Sequence, residues 1–343
     1  MKITLGEVAR KSGVSIATAS QVFNNSGRIS DETRARVMRS ADVLGYVHRR
    51  RHGIPGRSKG VASLLLQMDP EWAFAFPFIR PIITSIAKEL DAEGIDLVTI
   101  PMSHSDPVSR IIARLESVES RAVFTIHFAA RKLITQLETM GIPVIVIMNG
   151  NFQDEFHTVC VDDFQGAYEG TRYLIQLGHS RIGFVDQKRE DLPILSTDRF
   201  IGFTKALNEA GIDFSESLRI RYEHEKFDEL QSHLTRMMRT QNAPTAFFCL
   251  DDDLAWRVFL SAEKAGLRVP GDISLLAPGD VLDYSSPLVP QITTMRIDTE
   301  YMGKIAVHMM LNRSQGKPDT NHVVKVKQHL TVRATTASPS PHS

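Results

Sequence analysis

Three short stretches within the first 45 residues repeat their apolar side chains at helical spacing. Thr4 and Glu7 form a capping-box pattern in front of the first stretch, Gly13 ends it, and Ser15 and Ser30 cap the other two. The inward-facing apolar positions are Leu5, Val8, Ala9, Ala19, Val22, Phe23, Val37, Ala41 and Leu44. Two helices joined by a tight glycine turn, followed by a third, predict a small helix-turn-helix domain.

The second of these helices presents an outward face without charge. It is formed by Ile16, Ala17, Ser20, Gln21 and Asn24. A helix face that meets only water more often carries Glu and Lys. This face therefore predicts insertion into a DNA groove, with Ser, Thr and Asn available to bind phosphates. An ordinary helical hairpin is the alternative.

From residue 60 onward, short apolar runs alternate with amphipathic stretches. The first group of predicted strands covers residues 61–68, 96–100, 122–128 and 144–148, with helices near 78–93, 107–118 and 131–140. After a break at 149–157, further strands are predicted at 158–161, 182–185, 218–222, 246–250 and 273–277. This order predicts an α/β fold with two open lobes, each built on a parallel sheet.

Polar residues follow several of these strands at their carboxyl ends, where open α/β sheets bind ligands. Asp251, Asp252 and Asp253 follow one strand, Asp280 follows another, and Arg199 comes shortly after a third. A carboxylate and a guanidinium that face one cleft suit a polyhydroxylated or anionic small molecule. The alternative for the three consecutive aspartates is a helix cap.

Length and composition agree with a chain of more than one globular domain. The 343 residues are 42% hydrophobic, which is enough for several cores. Cys160 and Cys249 lie in apolar runs without the spacing of a disulfide framework or a metal site, which fits a reducing cytoplasm. No apolar run approaches the roughly 20 residues of a membrane span, and the N-terminus has no signal-peptide core. We therefore expect a cytoplasmic protein.

Charge is divided unevenly along the chain. Residues 1–60 hold twelve Lys and Arg against four acids, although the whole chain has a net charge of zero. A basic N-terminal region that contains a helix-turn-helix predicts a polyanionic partner. Residues 46–60 include Arg49, Arg50 and Arg51 and show no apolar periodicity, so they are interpreted as a linker.

Sequence signatures of enzymes are weak throughout the chain. Residues 53–60 lack the spacing of a phosphate-binding loop, and the sequence contains no Gly-x-Ser-x-Gly, His-Glu-x-x-His or Cys-x-x-Cys motif. The twelve histidines are scattered. We therefore expect no catalytic residues, no metal site and no cofactor.

A series of short motifs extends in order over nearly the whole chain. In the N-terminal region they are Glu7-Val8-Ala9, Ser12-Gly13-Val14-Ser15, Ala17-Thr18, Val22-Phe23-Asn24, Ser30-x-Glu32-Thr33-Arg34, Val37 and Leu44-Gly45-Tyr46. In the remainder they are Leu177-Gly178-His179 with Ile182, Arg199-x-x-Gly202-Phe203, Ala246 to Asp252, and Val269-Pro270-x-Asp272-Ile273-Ser274. In these motifs the sequence resembles the LacI/GalR family of lactose- and galactose-repressor-type transcription regulators.

This resemblance implies a helix-turn-helix DNA-binding head at residues 1–47 and a basic hinge at 48–59. The composition of residues 337–343 predicts a flexible tail. It implies that residues 60–336 form a two-lobed core similar to type I periplasmic binding proteins, in which the chain crosses between the lobes three times. Lobe 1 is expected at about 60–160 and 292–321, and lobe 2 at about 161–291 and 322–336. The strand at 292–297 is thus expected in the first lobe and the strand at 323–326 in the second.

The resemblance also implies partners and site residues. Members of the family are homodimers or pairs of dimers, so the expected DNA partner is a near-palindromic double-stranded operator. The residues expected to face base edges are Ile16, Ala17 and Gln21, and those expected to hold phosphates are Leu5, Ser15, Thr18, Ser20, Asn24, Ser30 and Thr33. Relatives place effector contacts at the positions of Phe78, Arg199, Phe227, Asp251 and Asp280.

The sequence departs from the family pattern in three places. Gln21 stands where many members have an arginine that reads guanine, and because glutamine has the geometry to read adenine, a shifted operator sequence is expected. The linker has no leucine to wedge into the minor groove and contains helix breakers, so Arg49, Arg50 and Arg51 are expected to contact the DNA there. Met148 stands where several sugar-binding relatives have aspartate.

These observations predict a bacterial, cytoplasmic, nucleoid-associated regulator. It is expected to repress a carbohydrate-utilisation operon, with its operator affinity controlled by a small polar effector, a sugar or sugar derivative, that binds between the two lobes. The alternative is a cytoplasmic solute-binding protein without specific DNA binding, and an enzyme on the same framework ranks third. The sequence leaves open the identity of the effector, the sign of its effect, and the choice between dimer and tetramer.

Overall fold

The structure is a computed structural model that describes residues 4–23, 29–44, 60–68, 76–103, 105–127, 130–187, 193–222, 227–240, 242–314 and 322–340. The chain divides into two compact units, residues 1–58 and residues 59–343. Within the described ranges no helix is long and apolar enough to cross a membrane.

The first unit contains three helices: α1 (Leu5–Ser12), α2 (Ile16–Phe23) and α3 (Asp31–Leu44). The predicted capping box is present at the start of α1, where the Thr4 hydroxyl accepts the Glu7 N–H and the Glu7 carboxylate accepts the Thr4 N–H at 2.7 Å. Gly13 adopts a left-handed conformation (φ 64°) and ends α1. The buried core consists of Val8, Ala9, Ala19, Val22, Val37 and Ala41. The side chains of Leu5 and Phe23 and all of Gly45 lie outside the described residues.

The second unit is an α/β structure. Its described strands are β1 (Gly60–Gln67), β2 (Ile95–Met102), β3 (Ser120–Ile126), β4 (Val144–Ile147), β5 (Thr158–Val161), β6 (Ile182–Gln187), β7 (Arg219–Tyr222), β8 (Ala246–Cys249), β9 (Ser274–Gly279), β10 (Thr293–Ile297), β11 (Val323–Val326) and β12 (Gln328–Thr331). Its described α-helices are α4 (Phe76–Ala92), α5 (Val108–Ser117), α6 (Arg131–Thr139), α7 (Asp163–Gln176), α8 (Pro193–Glu209), α9 (Phe227–Met238), α10 (Asp252–Lys264) and α11 (Thr299–Ser314). Every predicted strand is confirmed, and β12 is an additional one.

The strands form two six-stranded sheets. The first has the order β11-β5-β4-β3-β1-β2 and is parallel throughout, while the second has the order β12-β10-β9-β8-β6-β7 with only β12 antiparallel. Helices α4 and α11 cover one face of the first sheet, and α5 and α6 cover the other. Helices α7 and α8 pack on one face of the second sheet, and α9 and α10 on the opposite face. Each sheet with its helices is one lobe, named here the first and second lobe.

The predicted route of the chain between the lobes is wrong in two places. Strand β10, expected in the first lobe, pairs with β9 and β12 in the second. Strand β11, expected in the second lobe, pairs with β5 in the first. Strand β5 lies in the first lobe, as the expected bound at about residue 160 places it. The reason for the two errors is that a strand buried on both faces has the same apolar pattern in either sheet, so the pattern does not encode its neighbours.

The chain crosses between the lobes after β5, after β10 and after β11. The last crossing contains one residue, Lys327, between β11 and β12. Since β12 starts opposite the carboxyl end of β10, this short link brings the carboxyl ends of both sheets close together. The Gln328 side chain donates to the Asp162 carbonyl at 3.1 Å, and the Gln328 N–H donates to Gln165 at 2.9 Å, which ties two crossings to each other.

The last described residues are bound to the second lobe, so the prediction of a flexible tail is wrong for residues 337–340. The Ala337 N–H donates to the Ser274 hydroxyl at 3.0 Å, and the Ser340 hydroxyl donates to the Gly271 carbonyl at 2.9 Å. The composition of this segment is typical of a frayed end, but its backbone groups find partners on β9 and the preceding turn. Residues 341–343 lie outside the described residues.

His179 anchors this tail. It is buried, with Nδ1 at 2.8 Å from the Thr245 hydroxyl and Nε2 at 3.1 Å from the Ser274 hydroxyl and 2.9 Å from the Ala337 carbonyl. Burial lowers the pKa of His179, and the hydrogen bond to Ala337 opposes this effect. The imidazole is therefore held neutral inside the second lobe.

We expect His179→Ala to lower the free energy of unfolding by about 2 kcal/mol, because it removes the buried hydrogen bonds of the imidazole to Thr245, Ser274 and Ala337 and leaves a cavity in its place. The wild type is also expected to lose stability relative to His179→Gln as the pH falls below 6.5, the ordinary pKa of histidine, towards the lowered folded value. The reason is that the unfolded chain gains a proton in this range while the folded protein resists it. Urea titrations from pH 8 to pH 5 measure both effects, and a pH-independent difference between the two proteins would contradict the second.

Candidate DNA-reading face and effector cleft

The outward face of α2 is arranged as the sequence predicts. Ala19 and Val22 are buried in the core of the first unit, while Ile16 is 61% exposed and Ala17 and Gln21 are also exposed. An apolar side chain this exposed, beside a glutamine and without any charged neighbour on the same helix, is typical of a surface that contacts DNA bases. The face thus has the composition of a groove-reading surface.

Hydroxyl groups mark the starts of α2 and α3. The Ser15 hydroxyl accepts the Thr18 N–H at 3.0 Å and lies 2.8 Å from the Thr18 hydroxyl. The Ser30 hydroxyl likewise accepts the Thr33 N–H at 3.3 Å and donates to the Thr33 hydroxyl at 2.9 Å. Exposed hydroxyls at helix N-termini are suited to phosphates, because the helix dipole is positive there.

Further predicted DNA contacts are only partly described. Ser20 is half-buried on α2, and the backbone of Leu5 begins α1. Asn24 and the linker residues Arg49, Arg50 and Arg51 lie outside the described residues. On the described part, Arg34 of α3 donates to the Val22 carbonyl at 3.2 Å and so ties α3 to the end of α2.

In the second lobe, Arg199 is held inside the protein by a carboxylate that the sequence reasoning did not select. The residue is 5% exposed, and its Nε donates to Oδ1 of Asp163 at 2.8 Å. A second guanidinium nitrogen, Nη2, lies at the same distance from that oxygen, and Nη1 donates to the Leu250 carbonyl at the carboxyl end of β8. Burial raises the pKa of Asp163, and the charge of Arg199 opposes this rise. Asp163 stands two residues after the end of β5, and this position behind a predicted strand is the sequence signal that could have identified it.

Asp251 acts as the N-cap of α10. Its carboxylate accepts the Leu254 N–H at 2.8 Å, and the residue is partly exposed at the end of β8. The helix-cap alternative is therefore confirmed for Asp251. A cap uses one side of a carboxylate, so an additional contact with an effector stays a prediction.

Asp252 organises the loop that follows β9. It is 1% exposed, and its Oδ2 accepts the backbone N–H groups of Asp280, Val281 and Leu282 at 3.1, 2.8 and 3.3 Å and the Tyr284 hydroxyl at 3.2 Å. Burial raises the pKa of Asp252 to about 6, although the backbone donors oppose this rise. The sequence marked Asp252 only as one of three consecutive aspartates.

Gly279 allows this loop to lie against Asp252. A Cβ atom at Gly279 would lie 2.4 Å from an Asp252 carboxylate oxygen, and the backbone has φ 141°. The next residue, Asp280, also has a positive φ, 87°. The loop is therefore fixed in a conformation that few residues adopt, directly at the carboxyl end of β9.

The Asp280 carboxylate is engaged by three side chains. Arg333 forms an ion pair with it, the Thr294 hydroxyl donates to it at 3.2 Å, and the Arg296 guanidinium lies 3.4 Å away. Arg333 also lies over the Tyr284 ring, 3.9 Å from its centroid. The two arginines that pair with Asp280 come from β10, which contains Arg296, and from the segment after β12, which contains Arg333, and the sequence analysis had not connected either with this site.

The predicted effector residues are thus brought together in part. Arg199 touches the carbonyl of the residue before Asp251, and Asp252 links Asp251 to Asp280, so these residues share the carboxyl edge of the second sheet. Phe78 belongs to the first lobe and packs partly against its core. Phe227 begins α9, and its side chain lies outside the described residues.

The structure also describes Met148, the residue that stands where several sugar-binding relatives have an aspartate. Met148 has a positive φ, 61°, at the carboxyl end of β4. The neighbouring Asn149 is buried, donates to the His127 carbonyl at 2.7 Å and accepts the Asn151 N–H at 3.1 Å. Its amide is therefore used to hold two strand ends together. In the described part of the chain, no group of three or more His, Cys, Asp and Glu is arranged to hold a metal ion.

Matches to known protein families agree with the structures of both units. Residues 4–48 match the model for bacterial regulatory proteins of the lacI family, and residues 171–336 match a periplasmic binding protein-like domain. The chain is 28% identical over 342 residues to the HTH-type transcriptional repressor PurR of Pectobacterium carotovorum, with 97% of each chain covered.

Two solved structures share the fold over almost the full length. A complex of the transcriptional regulator CelR with cellobiose has a TM-score of 0.68 at 23% identity and covers 97% of this chain and 100% of that chain. The lac repressor dimer bound to operator and the anti-inducer ONPF has a TM-score of 0.68 at 22% identity and covers 98% and 100%. The chain therefore belongs to the LacI family of bacterial transcriptional regulators, joining the helix-turn-helix domain of that family to a periplasmic-binding-protein-like core.

Proposed function

We propose that this protein is a cytoplasmic repressor that binds a near-palindromic operator as a homodimer and changes its operator affinity when a small polar effector binds between the two lobes. The observation that carries the proposal is the exposed, uncharged face of α2 in the same chain as a two-lobed α/β core. The cellobiose in the CelR complex supports a carbohydrate effector.

On the DNA side, Ile16, Ala17 and Gln21 read base edges. Ile16 and Ala17 offer only apolar contact, which suits thymine methyl groups, and Gln21 offers the paired donor and acceptor that match adenine. The phosphate contacts are assigned to Leu5, Ser15, Thr18, Ser20, Asn24, Ser30 and Thr33, with Arg49, Arg50 and Arg51 of the linker as further DNA contacts.

On the effector side, Arg199, Asp251 and Asp280 supply polar groups from the second lobe. Phe78 and Phe227 supply apolar faces that pack on a sugar ring. Effector binding favours one relative position of the lobes, and because the head precedes β1 of the first lobe, that position sets the spacing of the two heads in a dimer. Linkage requires reciprocity: an effector that weakens operator binding must itself bind the operator complex more weakly.

The assigned reading register is tested with Gln21→Arg. Because arginine pairs bidentately with guanine, we expect the base preference at one position of each half-site to move towards guanine by about 1–3 kcal/mol. Sequencing of selected randomised duplexes measures this change. Asn24→Ala serves as the control, because loss of a phosphate contact weakens binding to all sequences alike. An unchanged base profile for Gln21→Arg would refute the register.

The alternative, a solute-binding protein whose basic head is only an anchor, predicts effector binding without a specific DNA footprint. Footprinting on the region upstream of the neighbouring genes distinguishes the two. A protected near-palindrome supports the repressor, and uniform protection at physiological salt supports the alternative.

A further inference from the structure

Helix α8 of the second lobe lies against the first lobe. It lies next to the 3₁₀ turn Gly150–Phe152, which follows β4 of the first sheet. An ion pair also joins α8 to the first lobe, because Nζ of Lys325 in β11 lies 3.6 Å from Oδ2 of Asp198 in α8. Since Arg199 is the next residue of α8, this interlobe ion pair connects a candidate effector residue with the first lobe.

Lys325 is the only charged residue of its strand, which has the sequence Val323-Val324-Lys325-Val326. Val324 and Val326 pack on the core that α4 and α11 cover. Because side chains alternate along a strand, Lys325 points to the opposite face of the sheet. A lysine on an edge strand often serves only to prevent pairing with another strand. Here its ammonium group reaches a carboxylate of the other lobe, so it has a specific partner.

The charges of the two lobes meet next to Cys160 of β5, which lies opposite Lys325 in the register of β5 and β11. Burial raises the pKa of this thiol to about 12, the charges of Asp163 and Asp198 add to the rise, and the charge of Lys325 opposes it. Asp163 is already paired with Arg199 inside the second lobe. Asp198 is therefore the carboxylate that α8 presents to the first lobe.

We propose that the interlobe ion pair between Lys325 and Asp198 favours the lobe arrangement in which α8 lies against the first lobe, and that salt shifts this balance by screening the pair. The inference rests on the proposed function, because it assigns a regulation to the same movement of the lobes. The observation that carries it is the contact between charged side chains of different lobes, directly beside Arg199.

Partial exposure makes this pair sensitive to salt. The side chains of Lys325 and Asp198 are 39% and 29% exposed, whereas those of Arg199 and Asp163 are 6% and 13% exposed. The Debye length falls from about 30 Å at 0.01 M salt to about 3 Å at 1 M, so added salt weakens the exposed pair more than the buried one. An ion pair of this exposure changes an equilibrium by about two- to fivefold.

Distances between spin labels measure the lobe arrangement in the full-length protein without any effector. Lys132 in the first turn of α6 and Asp228 in the first turn of α9 are exposed and belong to different lobes, so cysteines at these two positions carry the labels. The native Cys160 and Cys249 are buried, and burial raises the pKa of both thiols, which keeps them unreactive. An excess of unlabelled chain makes distances within one chain dominate the signal.

We expect Lys325→Met to raise the ratio of longer to shorter distances about two- to fivefold at low salt. Asp198→Asn is expected to have a similar effect, and the double variant no larger an effect than either substitution alone, because each one already breaks the pair. The wild type should approach the ratio of the variants as the salt concentration rises to about 1 M. An unchanged ratio in Lys325→Met overturns the inference, and so do effects of the two substitutions that add up.

Lys205→Met is the matched control. Lys205 pairs with Glu209 at 2.6 Å within α8 itself, so this substitution removes the same charge from an ion pair that lies inside one lobe. It should leave the label distances and their salt dependence as in the wild type. A shift as large as that of Lys325→Met would show that the pair between the lobes has no specific role.

Operator affinity of the same variants separates failure of this inference from failure of the proposed function. If Lys325→Met changes the label distances but leaves operator affinity unchanged, the interlobe ion pair stands and regulation through the lobes fails. If the distances stay unchanged while the protein binds a selected operator specifically, the DNA-binding regulator stands and the role of the ion pair is wrong.

Discussion

Replacing Asp252 with alanine is expected to lower the free energy of unfolding by at least about 3 kcal/mol and to abolish the response to effector. The substitution leaves three backbone N–H groups and the Tyr284 hydroxyl without their buried acceptor. The loop that carries Asp280 then loses its main attachment to α10. Chemical denaturation measures the stability, and effector titration at a temperature where the variant is folded measures the response.

Two variants sharpen this prediction. Asp252→Asn keeps an acceptor oxygen and is expected to retain most of the stability. Because the pKa of Asp252 is raised to about 6 in the folded protein, its protonated form favours folding at low pH, and that contribution is lost as the pH rises from 3.8 through 6. The stability difference between wild type and Asp252→Asn should therefore shrink over this range.

Asp253→Ala, on the exposed side of α10, is expected to change stability by less than about 0.5 kcal/mol, and a loss equal to that of Asp252→Ala would refute the assignment.

The second large effect is expected from Gly202→Ala in α8. A Cβ atom at this position would lie 2.3 Å from the Phe164 carbonyl oxygen and 3.0 Å from the Tyr168 nitrogen, both backbone atoms of α7. Because backbone atoms cannot rotate aside, α7 and α8 must separate, with a loss of about 3 kcal/mol in unfolding free energy. The same separation pulls Arg199 away from Asp163, so we also expect weaker effector binding.

Gly211→Ala is the matched control for this variant. No atom lies within 4 Å of a Cβ there, but the backbone has φ 68°, so only a conformational penalty of about 1 kcal/mol is expected. Scanning calorimetry of the two variants separates the effect of the steric clash at Gly202 from the conformational penalty at Gly211. Equal transition temperatures for Gly202→Ala and wild type would show that the two helices can separate without loss.

The local structure was largely predictable from the sequence because local chemistry determines it. The Thr4–Glu7 capping box, the end of α1 at Gly13 and the inward stripe of the first unit follow from short-range rules. The strands of both sheets also followed from their apolar runs. The sheet to which β10 and β11 belong could not be predicted, because their apolar patterns fit either sheet and only their hydrogen-bonded neighbours distinguish them.

The position of the candidate site could be predicted from the sequence, but the contacts between its residues could not. Strand ends and family motifs pointed to Arg199, Asp251 and Asp280. Their partners Asp163 and Arg333 lie far away in the sequence and carry no motif of their own, so only the folded chain connects them. The attachment of the C-terminal segment could not be predicted for the same reason, since the partners of Ala337 are Ser274 of β9 and His179, which are distant in sequence.

The uncharged face of α2 is expected to make this protein bind DNA in a sequence-specific way. The most direct measurement is fluorescence anisotropy at physiological salt on an operator selected from randomised duplexes, with a scrambled duplex of equal length as competitor. We expect the selected near-palindrome to bind at least about a thousandfold more tightly than the scrambled duplex. Equal affinity for the two duplexes would show that α2 does not read DNA sequence.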